Sequence, residues 1–208
     1  ARIMTGFLYK NRFIKENKCL ETDGNFLKAS TTADTAAKTE IVVRQAFGGV
    51  LFVDEAYALL SGDAAGEAAI ATLIKQMEDN RDKFVLILAG YTDEMNRLIN
   101  SNPGFASRFK DYVRFPDYTV DEMCDIFSYM VNQKGLCVDG EAMERFRVRI
   151  AKEKQGKHFG NARTVRNVME ECIDHHAVHI KDGELSGADR YKLVGMDVSE
   201  NVSEYFGK

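Results

Sequence analysis

The sequence predicts an α/β protein: a parallel sheet with helices on both faces, followed by a smaller all-helical part. Two continuous apolar runs, Val50-Leu51-Phe52-Val53 and residues 84–89, read as strands buried on both faces. The segments around them repeat apolar residues at three- and four-residue spacing. Strands that alternate with helices in this way pair in parallel through crossover connections. Beyond Pro116-Asp117 the pattern turns helical.

Residues 1–13 carry Ile3, Met4, Phe7 and Leu8 at helical spacing with no capping residue ahead, so a helix is already under way at residue 1. Residues 18–22 form a short strand. Residues 25–35 are small and polar and read as a loop. A helix over 35–46 places Ala36, Thr39, Val43 and Ala46 on one side and stops at Gly48-Gly49. After the first apolar strand come a loop through Ser61-Gly62-Asp63 and a helix over 67–80 with Ile70, Leu73, Ile74 and Met77 inward. The second apolar strand ends at Gly90-Tyr91. A short helix over 94–100 and the Asn102-Pro103-Gly104 turn then lead to a third strand at 112–115.

Thr119-Val120-Asp121-Glu122 is a capping box and opens the helical part. Helices follow over 141–154 and 161–181. The tail after Asp182 has Tyr191-Lys192-Leu193-Val194 as its only strand-like segment. The expected domains are 1–116, 117–181 and a tail of 182–208.

With 208 residues, 45% hydrophobic and 29% charged, the chain has the composition of a soluble globular protein. No apolar run approaches the ~18 residues of a membrane span, and no secretory signal pattern opens the chain, so no membrane partner and a cytoplasmic location are expected. A net charge of −4 gives no footprint for non-specific nucleic-acid binding. Cys19, Cys124, Cys137 and Cys172 have neither metal-ligand nor redox spacing and read as reduced thiols. His175, His176 and His179 lack the glutamate or third ligand of a zinc helix, so a solvated helix face is expected there. The 152–158 run reads as a wet loop between helices.

The chemistry concentrates at Asp54-Glu55, where a buried strand leaves the core. In open α/β sheets, ligands bind at the carboxyl ends of strands. Asp54 there can hold Mg²⁺, and Glu55 can polarise a water for attack on a phosphate, the Walker B arrangement of nucleotide hydrolases. A core strand ending in solvated acids is the plain alternative. Tyr91 and Thr92, at the end of the next strand, either reach the same place or cap the core. Arg108, after the Asn102-Pro103-Gly104 turn, can project into a neighbouring subunit and neutralise charge on a transferred phosphoryl group; otherwise it is solvated or salt-bridged. Arg163 sits in the first turn of the last helix, where a cation opposes the helix dipole. That cost points to a compensating anion, a nucleotide phosphate or a nearby acid. Arg166, one turn on, is the second candidate.

Taken together, five segments resemble the CbbX-like family of AAA+ ATPases, which includes the red-type Rubisco activase and stage V sporulation protein K types. They are Gly48-Gly49-Val50-Leu51-Phe52-Val53-Asp54-Glu55-Ala56-Tyr57, Met77-Glu78-Asp79-Asn80-Arg81, Ala89-Gly90-Tyr91, Asn102-Pro103-Gly104-Phe105-Ala106-Ser107-Arg108 and Gly160-Asn161-Ala162-Arg163. The resemblance covers residues 1–180. It implies a P-loop NTPase sheet with a small helical lid, Asp54 on Mg²⁺, Glu55 on the hydrolytic water, Tyr91 at the sensor-1 position, Arg108 as arginine finger and Arg163 as sensor 2. It further implies ATP as cofactor, a ring, taken as a hexamer, and a protein client that is remodelled.

Two departures stand out. No GxxxxGK(S/T) loop occurs in the chain, and relatives carry that loop just ahead of a segment like Ala1-Arg2-Ile3-Met4. The chain is therefore expected to start downstream of it, to lack the strand before it, to leave strand edges unpaired and to bind ATP weakly by itself. The pore-loop region has Thr31 and Ala33 where the family carries an aromatic and a glycine, with Phe26 as a substitute. The alternative to an ATPase is a non-hydrolysing, AAA-shaped interaction or regulatory module.

Overall fold

The computed structural model describes residues 1–60, 62–156, 159–199 and 201; Ser61 and the 157–158 end of the basic run lie outside the described residues, as do 200 and 202–208 of the tail. The chain divides into two compact units, Ala1–Val113 and Arg114–Lys208.

The first unit holds α1 (Arg2–Lys10), β1 (Cys19–Asp23), α2 (Thr32–Gln45), β2 (Val50–Asp54), α3 (Ala64–Asp79), β3 (Val85–Leu88), α4 (Thr92–Asn100) and the one-turn α5 (Pro103–Ala106). All three strands are parallel in the order β1-β2-β3. β2 is central, with Val50, Leu51 and Val53 fully buried, as its unbroken apolar run requires. Val42 and Val43 of α2, Ala46 just after it, and Ala69, Ile70 and Leu73 of α3 join it in one core with Phe105. α2 and α3 begin where a side chain takes an orphan N–H. Thr31 accepts from Asp34 N for α2, and Asp63 accepts from Gly66 N for α3. α2 thus begins three residues earlier than the apolar spacing predicts.

The third strand predicted at 112–115 is absent, which corrects the sequence reading. A strand persists through its ladder, and among the described residues the outer edge of β3 is unpaired. Tyr112, Val113 and Phe115 consequently stay exposed, at 62%, 67% and 90%. β3 is itself only half-buried along its length, in contrast to β2.

The second unit packs α6 (Val120–Gln133), α7 (Gly140–Glu153) and α8 (Ala162–Lys181) around Phe127, Phe146, Ile150, Val165 and Val168. The Phe127 and Phe146 rings stack at 3.9 Å. The capping box forms: Thr119 Oγ1 accepts from Glu122 N, and Glu122 accepts from Thr119 N at 2.8 Å. The strand-like 191–194 segment does form a strand, but its partner escaped the sequence pattern. β4 (Cys137–Val138) pairs in parallel with β5 (Lys192–Leu193), which draws the tail onto the helices. Leu193 and Val198 are buried in this core.

Candidate functional site

The carboxyl end of β2 is tied to the strand on each side. Gly24 N donates to Asp54 O at 3.0 Å, Ala89 N donates to Val53 O at 2.9 Å, and Ala56 N donates to Ala89 O at 3.0 Å. The register sets Asp23 beside Asp54, so two strands end in acids together. Asp23, which the sequence reading passed over, spends one oxygen on Phe26 N at 2.9 Å. Gly24 allows the close approach: a Cβ there would lie 2.8 Å from the Glu55 carbonyl oxygen.

Glu55 sits in the left-handed region at φ 45°, a conformation that costs a non-glycine residue roughly 1–3 kcal/mol. Its N–H turns back to Asp54 Oδ1 at 3.0 Å. The turn aims both carboxylates outward. Each is exposed, and among the described residues the Glu55 carboxylate and Asp54 Oδ2 have no hydrogen-bond or ion-pair partner. An acid held by strained backbone and left unpaired is the pattern of a ligand site rather than of a stabilising ion pair.

Tyr57, on the 3₁₀ turn Ala56–Leu59 that follows, is a residue that the sequence reading missed. Its ring packs on Gly90, where a Cβ would come within 2.7 Å of Cδ1, and its centroid is 6.0 Å from that of Tyr91. Partial burial, then the charges of Glu55, Glu94 and Asp54 and the Tyr91 phenol, hold the Tyr57 phenol above its ordinary value. The signal that could have found it is an aromatic three residues beyond a strand-end acid. Tyr91 itself is 68% exposed and so does not cap the core.

Arg108 does not hang free on a loop. Its Nη1 donates to Gly104 O at 2.7 Å, and its Nη2 pairs with Glu78 of α3 at 3.1 Å. None of its hydrogen bonds goes to the acids of β2. Phe26 is 52% exposed, with Lys38 Nζ 4.1 Å over its ring. Thr31, at one expected pore-loop position, is instead the N-cap of α2, and Ala33 lies in that helix's first turn.

In the second unit, Asn161 starts α8 at φ 52° and links back to the start of the unit. It accepts from Tyr118 N at 3.0 Å and donates to Asp117 at 2.7 Å. Arg163 and Arg166 are both exposed, and neither guanidinium is paired among the described residues. The nearby acid that would have explained Arg163 away is not found there.

The histidines overturn the expectation of a solvated face. His176 is 3% exposed, with Nδ1 2.9 Å from Asp197 Oδ2 and Nε2 3.1 Å from Arg190 O. His179 Nδ1 lies 2.7 Å from Asp197 Oδ1, and His175 Nδ1 lies 3.1 Å from Asp197 O. The tail folds back and inserts a fully buried carboxylate between the rings, a contact that no spacing within the helix reveals.

A three-stranded parallel sheet with an acid pair at its carboxyl edge, followed by a helical unit, is the arrangement expected of an AAA-type ATPase fold. Comparison with known proteins supports this. The model of the "ATPase family associated with various cellular activities (AAA)" matches residues 11–117, and that of the "AAA lid domain" matches 119–205. Protein CbbX of Cereibacter sphaeroides is 37% identical over 170 residues, covering 80% of this chain and 55% of its own length. The chloroplastic ribulose bisphosphate carboxylase/oxygenase activase of Cyanidioschyzon merolae is 40% identical over 173 residues, covering 82% and 59%. Stage V sporulation protein K of Bacillus subtilis is 33% identical over 189 residues, covering 88% and 59%. The fold matches the Thermotoga maritima RuvB branch migration motor at TM-score 0.59 and 22% identity, over 86% of this chain and 50% of that one. The chain belongs to the CbbX-like family of AAA+ ATPases. It spans less than two thirds of the length of these three relatives.

Proposed function

We propose that the chain is the catalytic and lid portion of an ATPase that hydrolyses ATP between the subunits of a ring, a hexamer, to remodel a protein client in the cytoplasm. The observation that carries the reading is the unpaired, outward-facing Asp54-Glu55 pair on a strained turn, tied to the ends of both neighbouring strands. Among the described residues no helix is long and apolar enough to cross a membrane.

The donor set fits magnesium bound together with a nucleotide. Mg²⁺ keeps several waters and takes one or two carboxylates plus phosphate oxygens, and Asp54 offers one free oxygen. Among the described residues no three His, Cys, Asp or Glu side chains come together to hold a metal ion. When bound, ATP with Mg²⁺ supplies the phosphoryl group and the cation that neutralises its charge.

The residues divide the work as follows. Asp54 holds the cation. Glu55 orients and polarises the attacking water, and its left-handed backbone sets the direction in which its side chain leaves the strand end. Tyr91 contacts the water or the γ-phosphate from the end of β3. Arg108 neutralises transition-state charge on the nucleotide of the next subunit, and Arg163, with Arg166 behind it, meets the nucleotide phosphates from the lid. Phe26 is the side chain offered to a threaded client.

The test is to assay a protein extended upstream to include a strand and a GxxxxGK(S/T) loop. Mg²⁺-dependent ATP hydrolysis is expected, with Glu55→Gln binding ATP but losing turnover. An extended protein that neither binds nor hydrolyses ATP rejects this reading in favour of a non-hydrolysing module.

A further inference from the structure

The setting of Arg108 names a residue that prepares it. Asn102 Oδ1 accepts from Gly104 N and Phe105 N at 2.8 and 3.2 Å, which fixes the turn ahead of Arg108. Phe105 is fully buried and meets Phe109 edge-on at 5.0 Å, so the backbone on both sides of the arginine is pinned to the core. The side chain is then gripped at its head, by Gly104 O on Nη1 and by Glu78 Oε2 on Nη2. Nε is buried and has no acceptor among the described residues.

A guanidinium is a rigid plane with five N–H donors. Gly104 and Glu78 take one each, and burial walls off the Nε donor. What remains is one N–H on each terminal nitrogen, donors of the kind that meet a phosphoryl group. One anchor leaves the plane free to swing on its stem, whereas two anchors on different nitrogens set its tilt. Glu78 is 64% exposed, so the pair adds little to folding stability, and its consequence is geometric.

We infer that Glu78 is a positioning residue for Arg108, holding the guanidinium so that its two remaining N–H groups face the phosphoryl group bound by the adjacent subunit. This rests on Arg108 acting across a subunit interface as proposed above.

The experiment measures ATP turnover by the full-length protein. Misplacement of a catalytic group by about 1 Å costs on the order of 10²-fold, so Glu78→Ala should lower kcat by about that factor with KM for ATP within about twofold. Glu78→Gln keeps an acceptor oxygen and should recover to within about tenfold of wild type. The decisive arm mixes Glu78→Ala subunits with Glu55→Gln subunits in one ring. The Glu55→Gln subunit presents a correctly held Arg108 to the intact Glu55 of its Glu78→Ala neighbour, so the mixture should turn over faster than either variant alone. A fault confined to the variant's own fold or own site gives no such rescue. A wild-type kcat in Glu78→Ala, or mixed rings no faster than the variants alone, overturns the role of Glu78. Arg108→Ala separates the two levels: hydrolysis at the wild-type rate in that variant rejects the arginine-finger assignment itself.

Discussion

The two units use their charged residues in opposite ways. In the first, Asp54 and Glu55 stand exposed at the mouth of the apolar strand β2, and among the described residues neither carboxylate has a side-chain partner. In the second, charge is drawn inside. Arg149, 1% exposed, donates to both oxygens of Glu171 at 2.8 Å and lies near Glu153 and the Ser199 carbonyl. Asp197, fully buried, is surrounded by histidines. Burying a charge is costly unless partners meet it, and these carboxylates, rings and carbonyl are what meet Arg149 and Asp197. The Asp54-Glu55 pair of the first unit stays in water instead, where it needs no buried partner and remains open to a ligand. The buried Arg149 and Asp197 networks are thus structural, the exposed acid pair is the one proposed for chemistry, and substitutions should separate the two uses.

The largest effect is expected at Arg149. Arg149→Ala leaves the Glu171 and Glu153 carboxylates without their cation, a loss of roughly 3–5 kcal/mol in chemical denaturation. A change below about 1 kcal/mol, the level of a surface pair, would mean that this unit is not organised around its buried charge. Asp197→Ala comes next. It strips the partner from His176, His179 and Val194 N, at about 2–3 kcal/mol. Hydrogen exchange should rise first over 187–198, the segment that this carboxylate fastens to α8.

Which parts of this were legible in the sequence follows from the range of the contacts. The capping box at Thr119 and the apolar faces of α3 and α6 rest on neighbours within a few residues and formed where the local pattern placed them, as did β2 on its apolar run. The face read for α1 is instead exposed, with Ile3 at 92% and Phe7 at 57%. The 112–115 strand failed because a strand depends on a partner, and no local propensity supplies one. The histidines failed for the same reason: Asp197 lies 21 residues beyond His176. At the candidate site, the acids and arginines could be named from motifs. The strained φ of Glu55, the seat of Tyr57 on Gly90 and the grip of Glu78 on Arg108 could not, since each depends on backbone geometry or on long-range packing.

A pH series sharpens the contrast at a smaller scale. Burial pushes the Cys172 thiol up to about 12 from an ordinary 9.0. The folded form therefore keeps a proton that the unfolded chain sheds. The resulting stability is complete below pH 9 and is lost as pH rises toward 12, by about 1.4 kcal/mol for each unit passed. Glu171 runs the other way. The Arg149 hydrogen bond holds its carboxyl below 4.5, so its contribution is present above that value and is lost as pH falls below it. Denaturation midpoints of the wild type and Cys172→Ala across pH 8–10.5 isolate the thiol. Parallel curves would remove it as a buried acid. Cys137, which is exposed, should meanwhile react with a thiol reagent in the native protein, whereas Cys172 should wait for unfolding.

The smallest effect on stability is expected where the chemistry is proposed. Glu55→Gln touches an exposed carboxylate with no partner among the described residues and should leave the denaturation midpoint unchanged. Glu55→Gly tests the other half of the description. A glycine adopts the left-handed backbone freely, and the relief of strain is set against its larger unfolded-state entropy, for a net gain of up to about 1 kcal/mol. The pair of variants separates side chain from backbone: one removes the charge and keeps the strain, and the other removes both. Stabilisation by glycine with neutrality of glutamine would mean that the fold tolerates a costly turn for the sake of where a carboxylate points. A marked loss of stability in Glu55→Gln would instead place the acid among the structural charges, as in the second unit, and the contrast between the units would fall.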